Sequence, residues 1–196
     1  MPIAVAVGVL AAACDVSTSE PFVRRTFEFT FENNIGEWMA DATDVDDPPV
    51  TWSVERSNEL AERGEWSVRL SLDNLNDAGK IWMEREFQLA PGITYGIEVS
   101  FDFASADFGN VNLWRIIAGA TAVDPETADD LTFQDDDTGN GADEDVGHVW
   151  TARRYELGAV TADPEGSIWV ALGVWGTFET ARTYYVDDVE LIFTRQ

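Results

Sequence analysis

The chain has 196 residues, a length that suits one domain, and 45% of them are hydrophobic, which is enough for a full core. Its 37 acidic residues outnumber the 12 lysines and arginines, so the formal net charge is -25. Binding to nucleic-acid phosphates or adsorption to anionic lipid needs basic patches, so this charge argues against both. The single cysteine, Cys14, excludes an intrachain disulfide and a cysteine-based metal site.

An apolar run from Ile3 to Ala13 ends in three alanines directly before Cys14. The run is too short to span a bilayer and has the length of a signal-peptide hydrophobic region. Small residues before a cysteine resemble the lipobox of bacterial lipoproteins, which implies cleavage before Cys14 and acylation of that residue. We therefore predict a signal peptide over 1–13, a lipidated cysteine with a polar tether over 14–24, and a lipoprotein secreted across the inner membrane. The anchor would hold it in the periplasm or at the cell surface; the alternative is an ordinary secretory signal.

The remaining domain, 25–196, is dominated by period-two alternation of apolar and polar residues, without a long stretch of helical period. Nine strands are predicted: Thr26–Phe31, Val50–Arg56, Glu65–Leu72, Lys80–Leu89, Ile93–Ala104, Val111–Ala118, Val149–Leu157, Ser167–Trp175 and Thr183–Thr194. Short strands separated by glycine, proline, asparagine and aspartate predict an antiparallel β-sandwich. A long acidic segment, 124–145, interrupts the pattern and is predicted to be a loop.

The last predicted strand places Asp187 in a row that is otherwise apolar. The other members of this row are Tyr185, Val189, Leu191 and Phe193. A lone buried carboxylate is costly without a cation or several hydrogen-bond donors. We therefore expect a bound metal ion at Asp187. The alternative is an ion pair with Arg85, which interrupts the apolar row of the Lys80–Leu89 strand.

Four segments follow one another in a recognisable order: Phe-Glu followed by Gly and Trp within 31–38, Gly-Glu-Trp-Ser-Val-Arg-Leu at 64–70, Pro-Gly-Ile-Thr-Tyr at 91–95 and Tyr-Val-Asp-Asp-Val at 185–189. Together they resemble the jelly-roll carbohydrate-binding modules found beside glycoside hydrolases. The resemblance implies an all-β jelly roll of about 8–10 strands. It also implies a structural calcium ion near the first and last strands, with Glu32 and Asp187 as its ligands by position.

A ligand face is predicted on the polar rows of three strands. Trp82 and Glu84 lie opposite the apolar row of their strand, and Trp169 and Trp175 share a row with small residues. Tryptophan rings can pack on the apolar faces of sugars, while carboxylates accept hydrogen bonds from hydroxyl groups. We therefore predict one sheet face that binds a neutral polysaccharide. Its residues are Trp82, Glu84, Glu98, Asp102, Trp169 and Trp175. The alternative is that these tryptophans pack under loops.

The preferred hypothesis is a non-catalytic surface lipoprotein that binds a polysaccharide. A second hypothesis is a structural or adhesive cell-surface subunit without a sugar site, held by exposed edge strands. A third is a glycan-cleaving enzyme, which would need two carboxylates such as Glu84 with Glu86 or Glu98 with Asp102. Trp66, in contrast, lies in an apolar row and is predicted to belong to the core.

Overall fold

The computed structural model describes residues 23–73, 75–109, 113–127, 130, 132–134 and 139–196. The predicted signal peptide, Cys14 and the tether up to residue 22 lie outside these residues. Within the described ranges there is no helix long and apolar enough to cross a membrane.

The described residues form eleven strands and no α-helix. The strands are β1 (Arg24–Phe29), β2 (Met39–Thr43), β3 (Trp52–Ser57), β4 (Ser67–Asp73), β5 (Lys80–Gln88), β6 (Thr94–Ser105), β7 (Trp114–Thr121), β8 (Phe133–Gln134), β9 (Val149–Thr161), β10 (Ser167–Gly176) and β11 (Ala181–Arg195). Each of the nine predicted strands overlaps one of them. The two that were not predicted, β2 and β8, are short and have no extended row of alternating apolar residues.

The strands form two antiparallel sheets. The first sheet has the order β3-β4-β11-β6-β9, and β1 pairs with the second half of β11 beyond the end of β4. The second sheet has the order β2-β5-β10-β7-β8. The predicted fold class, an all-β antiparallel sandwich, is confirmed.

The core lies between the two sheets and is rich in aromatic rings. Phe27 contacts Phe87 and Phe193 at centroid distances of 4.9 and 5.6 Å, and Trp38 meets Phe29 edge-on at 5.3 Å. Burial of apolar surface of this kind contributes about 25 cal/mol per Å², so this contact layer is the main source of stability.

A β-bulge in β11 changes which residues of this strand face the core. Asp187 pairs with Asp102, but the next aligned pair is Glu190 with Ser100, and Asp188 has a positive φ of 46°. The core residues before the bulge are Tyr184 and Val186, and those after it are Val189, Leu191 and Phe193. An extra residue reverses the alternation of a strand. The prediction that Asp187 belongs to the core row is therefore wrong: it lies on the outer side of the first sheet.

Candidate functional site

Asp187 is fully buried on this outer side because a turn covers it. One carboxylate oxygen accepts the backbone N–H groups of Glu62 and Arg63 at 3.0 and 3.3 Å, and the other accepts that of Asp188 at 2.8 Å. Burial raises the pKa of Asp187, and these hydrogen bonds oppose the rise. These three N–H donors compensate the buried negative charge of Asp187, which was the reason for expecting a metal ion.

The alternative partner, Arg85, does not contact Asp187. Its guanidinium pairs with Glu37 at 2.6 Å and lies 4.8 Å from the ring centroid of Phe29 and 5.2 Å from that of Phe87. Arg85 therefore interrupts its apolar row by reaching to the edge of the core, where its charge meets a carboxylate and aromatic rings. The predicted ion pair between Asp187 and Arg85 is wrong.

Glu32 holds the same turn from its other end. Its carboxylate accepts the backbone N–H groups of Glu65 and Trp66 at 3.0 and 3.1 Å. The guanidinium of Arg56 donates to the carbonyl oxygens of Phe31 and Glu32, both at 2.6 Å, and lies 3.5 Å from the centroid of the Trp66 ring. Trp66, half-buried beneath this guanidinium, is not a member of the core cluster.

These contacts fit a calcium site poorly. Calcium prefers six to eight oxygen ligands, whereas the N–H groups of the turn use several acceptor positions of Glu32 and Asp187. The guanidinium of Arg56 already faces two carbonyl oxygens beside Glu32. Among the described residues, no group of three or more histidine, cysteine, aspartate or glutamate side chains could hold a metal ion. Calcium binding by Glu32 and Asp187 stays a prediction.

The six residues of the predicted ligand face lie on two different sheets. Trp82 and Glu84 are on β5, and Trp169 and Trp175 are on β10, which pairs with β5 in the second sheet. Glu98 and Asp102 are on β6, which pairs with β11 and β9 in the first sheet. The prediction of one shared face is wrong, because β5 and β6 follow each other in the chain but enter opposite sheets.

Trp82 is not available for stacking on a ligand. It lies on the outer side of the second sheet, yet it is fully buried in a small cluster with Ile117 and Ala171. Opposite it on β10 is Gly173, where an added Cβ would come within 2.5 Å of the Cα and Cβ atoms of Trp82. Glycine at this position therefore permits a close approach of β10 to the backbone of β5.

Glu84 is a buried carboxyl group in the same region. Only 4% of it is exposed, and it accepts a hydrogen bond from Trp82 Nε1 at 2.7 Å. The pKa of Glu84 is raised to about 7: burial is the main cause, the bond from Trp82 opposes the rise, and the nearby carboxylates of Asp124 and Asp41 add to it. This is the pKa of an effective general acid, but Glu84 faces Trp82 and Asp124 rather than solvent.

The other two tryptophans of the predicted face are half-buried. The Trp175 ring is flanked by cations from the strands on either side: Lys80 Nζ lies 4.8 Å and the Arg115 guanidinium 5.1 Å from its centroid. Trp169 pairs across the sheet with Glu86, whose carboxylate is bonded to Ser167 and to Gln88. Two cations therefore lie against the Trp175 ring, and both tryptophans keep part of their surface exposed.

The outer face of the first sheet, in contrast, has two open grooves at opposite ends of β11. The hydroxyl groove, as we name it, has a volume of about 440 Å³, and its polar lining residues are Thr51, Ser53, Arg69, Ser71, Asp73, Arg182 and Thr183. The Glu98 groove has a volume of about 420 Å³, and its lining includes Arg24, Glu98, Arg154, Glu156, Ile192 and Thr194. Both volumes are in the range of small-molecule sites.

A network of side chains fixes one wall of the hydroxyl groove. Arg69 pairs with Glu55 and Glu59, each at 3.2 Å, and Glu59 also accepts a hydrogen bond from the hydroxyl group of Tyr185 at 3.1 Å. The exposed ring of His148 packs edge-on against Tyr185 at 5.1 Å. Burial and the bond to Glu59 raise the pKa of Tyr185, so its hydroxyl stays protonated at neutral pH. Arg69 is thereby held in one orientation beside the groove.

Glu98 and Asp102 do not form a catalytic pair. Glu98 accepts a hydrogen bond from Arg154 at 2.6 Å in the Glu98 groove. Asp102 lies four residues further along β6, about 13 Å away at 3.3 Å per residue. Glycosidases place their two carboxyl groups about 5–9.5 Å apart. Burial, followed by the charge of Asp188, raises the pKa of Asp102, and Arg63 opposes the rise.

Sequence reasoning missed the residues of the hydroxyl groove. Arg69 stands inside the segment that carries the resemblance, between the buried residues Val68 and Leu70. Because side chains alternate along a strand, the Arg69 side chain is predicted to point outward. This alternation is the only sequence signal for a role of Arg69 on the outer face. Ser71 and Thr183 are paired across β4 and β11, but this pairing joins residues that are far apart in the chain.

The chain matches no protein-family model and no curated protein. Among solved structures it is similar to the K3 cleaved adhesin domain of Lys-gingipain from Porphyromonas gingivalis W83, with a TM-score of 0.52 and 17% identity over 84% of this chain and 97% of that one. It is also similar to carbohydrate-binding modules of the β-sandwich superfamily, with a TM-score of 0.50 and 17% identity over 82% of this chain and 59% of that one. A third neighbour is TmCBM61 in complex with β-1,4-galactotriose, with a TM-score of 0.48 and 14% identity over 85% and 94% of the two chains.

The two neighbours with TM-scores of 0.52 and 0.50 show that the chain has a β-sandwich fold. At these identities the likeness concerns the fold, and one fold carries many functions.

Proposed function

We propose that this chain is a non-catalytic domain that binds a neutral polysaccharide, and that the ligand lies in the hydroxyl groove. The observation that carries the proposal is the open groove of about 440 Å³ on the outer face of the first sheet, lined by hydroxyl, carboxylate and guanidinium groups. These groups together donate and accept hydrogen bonds, as sugar hydroxyl groups require.

Preorganisation of the groove supports the proposal. Arg69 is held by two carboxylates, so its remaining N–H groups can meet a ligand without the full cost of ordering a long side chain. Ser71 and Thr183 have their hydroxyl oxygens 3.4 Å apart across the strand pair. Trp52 lines the groove, and the exposed ring of His148 lies beside it, with Nε2 3.1 Å from the carbonyl oxygen of Thr183.

The charge of the chain favours a neutral ligand. A net charge of -25 repels a polyanionic glycan except where cations bridge the two. The predicted lipid anchor at Cys14 would place such a domain at a membrane surface exposed to polysaccharides. The apolar run that ends in three alanines before Cys14 supports the proposed lipoprotein and its periplasmic or cell-surface location.

The test is affinity electrophoresis and calorimetry of the chain against a panel of neutral polysaccharides, combined with two matched variants. Arg69→Ala removes the guanidinium from the hydroxyl groove, and Arg154→Ala removes one from the Glu98 groove on the same face. Losing a well-used anchor costs about 2 kcal/mol or more, roughly thirtyfold in affinity. We expect this loss for Arg69→Ala and near-normal binding for Arg154→Ala.

A large loss of affinity for Arg154→Ala with near-normal binding for Arg69→Ala would indicate that the ligand binds in the Glu98 groove. Absence of binding to every neutral polysaccharide would overturn the function and leave the structural or adhesive subunit. Release of reducing sugar by the purified chain would support the enzyme instead.

A further inference from the structure

β9 is the longest edge strand of the sandwich. It has 13 residues, whereas β3, β2 and β8, which end the two sheet orders elsewhere, have six, five and two. β6 pairs with one side of β9, and no strand of the described residues pairs with its other side. Proteins often protect a long edge with lysine or proline, but β9 contains neither. An edge of this kind can pair with a further strand.

The hydrogen-bond pattern of the first sheet identifies the backbone groups at the open side of β9. Gln196 donates its N–H to the carbonyl oxygen of Thr94, so the even-numbered residues of β6 bond to β11. The odd-numbered residues of β6 therefore bond to β9, where their partners include Tyr155. The N–H and C=O groups of Arg154 and Glu156, which flank Tyr155, point away from β6 and toward the open side.

Arg154 and Glu156 also carry opposite charges on the outer face of the first sheet, where both line the Glu98 groove. Arg154 is exposed and donates to Glu98 at 2.6 Å. Glu156 lies directly opposite Glu98 across β6 and β9, and like charges in this position destabilise a strand pair. A second cation beside Glu156 would relieve this repulsion.

We propose that two copies of this chain associate through antiparallel pairing of their β9 strands about a two-fold axis at Tyr155. In this register Arg154 of each copy lies directly opposite Glu156 of the other, on the same side of the joined sheet. The two residues exchange both backbone hydrogen bonds, and symmetry repeats the pair on the other side of the axis. The Glu98 grooves of the two copies meet at this seam.

Charge selects this register over its neighbours. An axis at 154 or 156 would place Arg154 or Glu156 opposite its own counterpart, and an axis at 153 would do the same for Arg153. Unlike charges directly opposite stabilise a strand pair, and like charges destabilise it. An axis further along β9 reaches the irregularity at Gly158, which has a positive φ of 84° and interrupts regular pairing. Pairing centred on Tyr155 is therefore favoured.

The edge itself is not acidic, although the chain has a net charge of -25. Residues 152–158 contain two arginines and one glutamate. The net charges of two copies repel each other at long range, but salt screens this repulsion more than it screens charges in contact at a partly buried seam. The dimer should therefore form at about 0.15 M salt, where the screening length is roughly 8 Å.

Sedimentation equilibrium of the full chain at this salt concentration, between about 5 and 500 µM, tests the proposal. A reducing agent prevents a disulfide at Cys14. The wild type should pass from monomer to dimer. Arg154→Glu and Glu156→Arg each place like charges opposite each other on both sides of the axis, so each should weaken the dimer at least about tenfold. A mixture of the two variants should recover a heterodimer, because each supplies the charge that the other lacks.

Arg24→Glu is the matched control, because it makes the same change of charge in the lining of the Glu98 groove but on β1. It should leave the dimer unchanged. A wild type that stays monomeric throughout would overturn the proposal and leave the edge to a strand of another protein. A dimer that both variants retain, or that their mixture does not recover, would overturn it as well. No sugar is present, and β9 does not line the hydroxyl groove, so the result is independent of the proposed function.

Discussion

Replacing Asp187 by alanine removes the one carboxylate that accepts three backbone N–H groups in and beside the turn at 62–66. Each hydrogen bond to a charged group contributes about 1.5–3 kcal/mol, and a buried donor left without a partner costs about 1–3 kcal/mol. Two effects reduce the sum: water can reach Glu62 and Arg63, which are exposed, and the carboxylate itself is costly to bury. We therefore expect Asp187→Ala to lower the free energy of unfolding by about 3–5 kcal/mol.

A loss of this size lowers the melting temperature by roughly 6–20 °C in a domain of about 150–250 residues. Thermal and urea unfolding followed by circular dichroism measure it. Asp187→Asn retains the shape and one acceptor oxygen, so its expected loss is only about 1–2 kcal/mol. Glu62→Ala is the matched control, because it removes an exposed acidic side chain from the same turn and leaves the backbone donor in place; its effect should stay within about 0.5 kcal/mol. A loss below about 1 kcal/mol for Asp187→Ala would refute the argument from N–H donors.

Three further predictions concern other parts of the chain. If calcium binds Glu32 and Asp187, chelator will lower the melting temperature of the wild type and leave Asp187→Ala unaffected; an unchanged wild-type curve means that the N–H donors suffice. Trp82→Ala should destabilise the domain by about 3–5 kcal/mol in urea unfolding, because the ring is fully buried, whereas Trp66→Ala should cost less. Cys14→Ser should release the folded domain from membranes in a fractionation experiment, because several acyl chains on one cysteine anchor firmly; unchanged membrane association would show that Cys14 is not the anchor.

The positions of the strands could be predicted because alternation is a local property of the sequence. The assignment of strands to sheets could not, since it depends on pairings between distant segments. Glu84 and Glu98 illustrate this: both lie on outward rows of strands that follow each other in the chain, yet β5 pairs with β10 and β6 with β11. A polar row shows that a strand has a solvent side, but it does not show which other rows share that side.

At Asp187, one irregular residue makes the period-two alternation of β11 misleading. Its burial was predicted correctly, but the reason was wrong, because the bulge at Asp188 reverses the alternation within β11. The local sequence marks the bulge only weakly: aspartate is enriched among the non-glycine residues that adopt a positive φ, but the flanking residues are ordinary strand formers. The donors that satisfy Asp187 come from a turn 125 residues earlier in the chain, which periodicity cannot reveal.

The two outer faces of the sandwich differ because of the residues at their centres. On the second sheet, Gly173 lets β10 approach the β5 backbone at Ile81 and Trp82, and Trp82 packs with Ile117 and Ala171, so this tryptophan is structural. On the first sheet, the corresponding central positions carry Arg69, Tyr185 and their carboxylate partners, which stand above the strands and keep a groove open beside them. A ligand therefore finds ordered polar groups on the first sheet and a covered surface on the second.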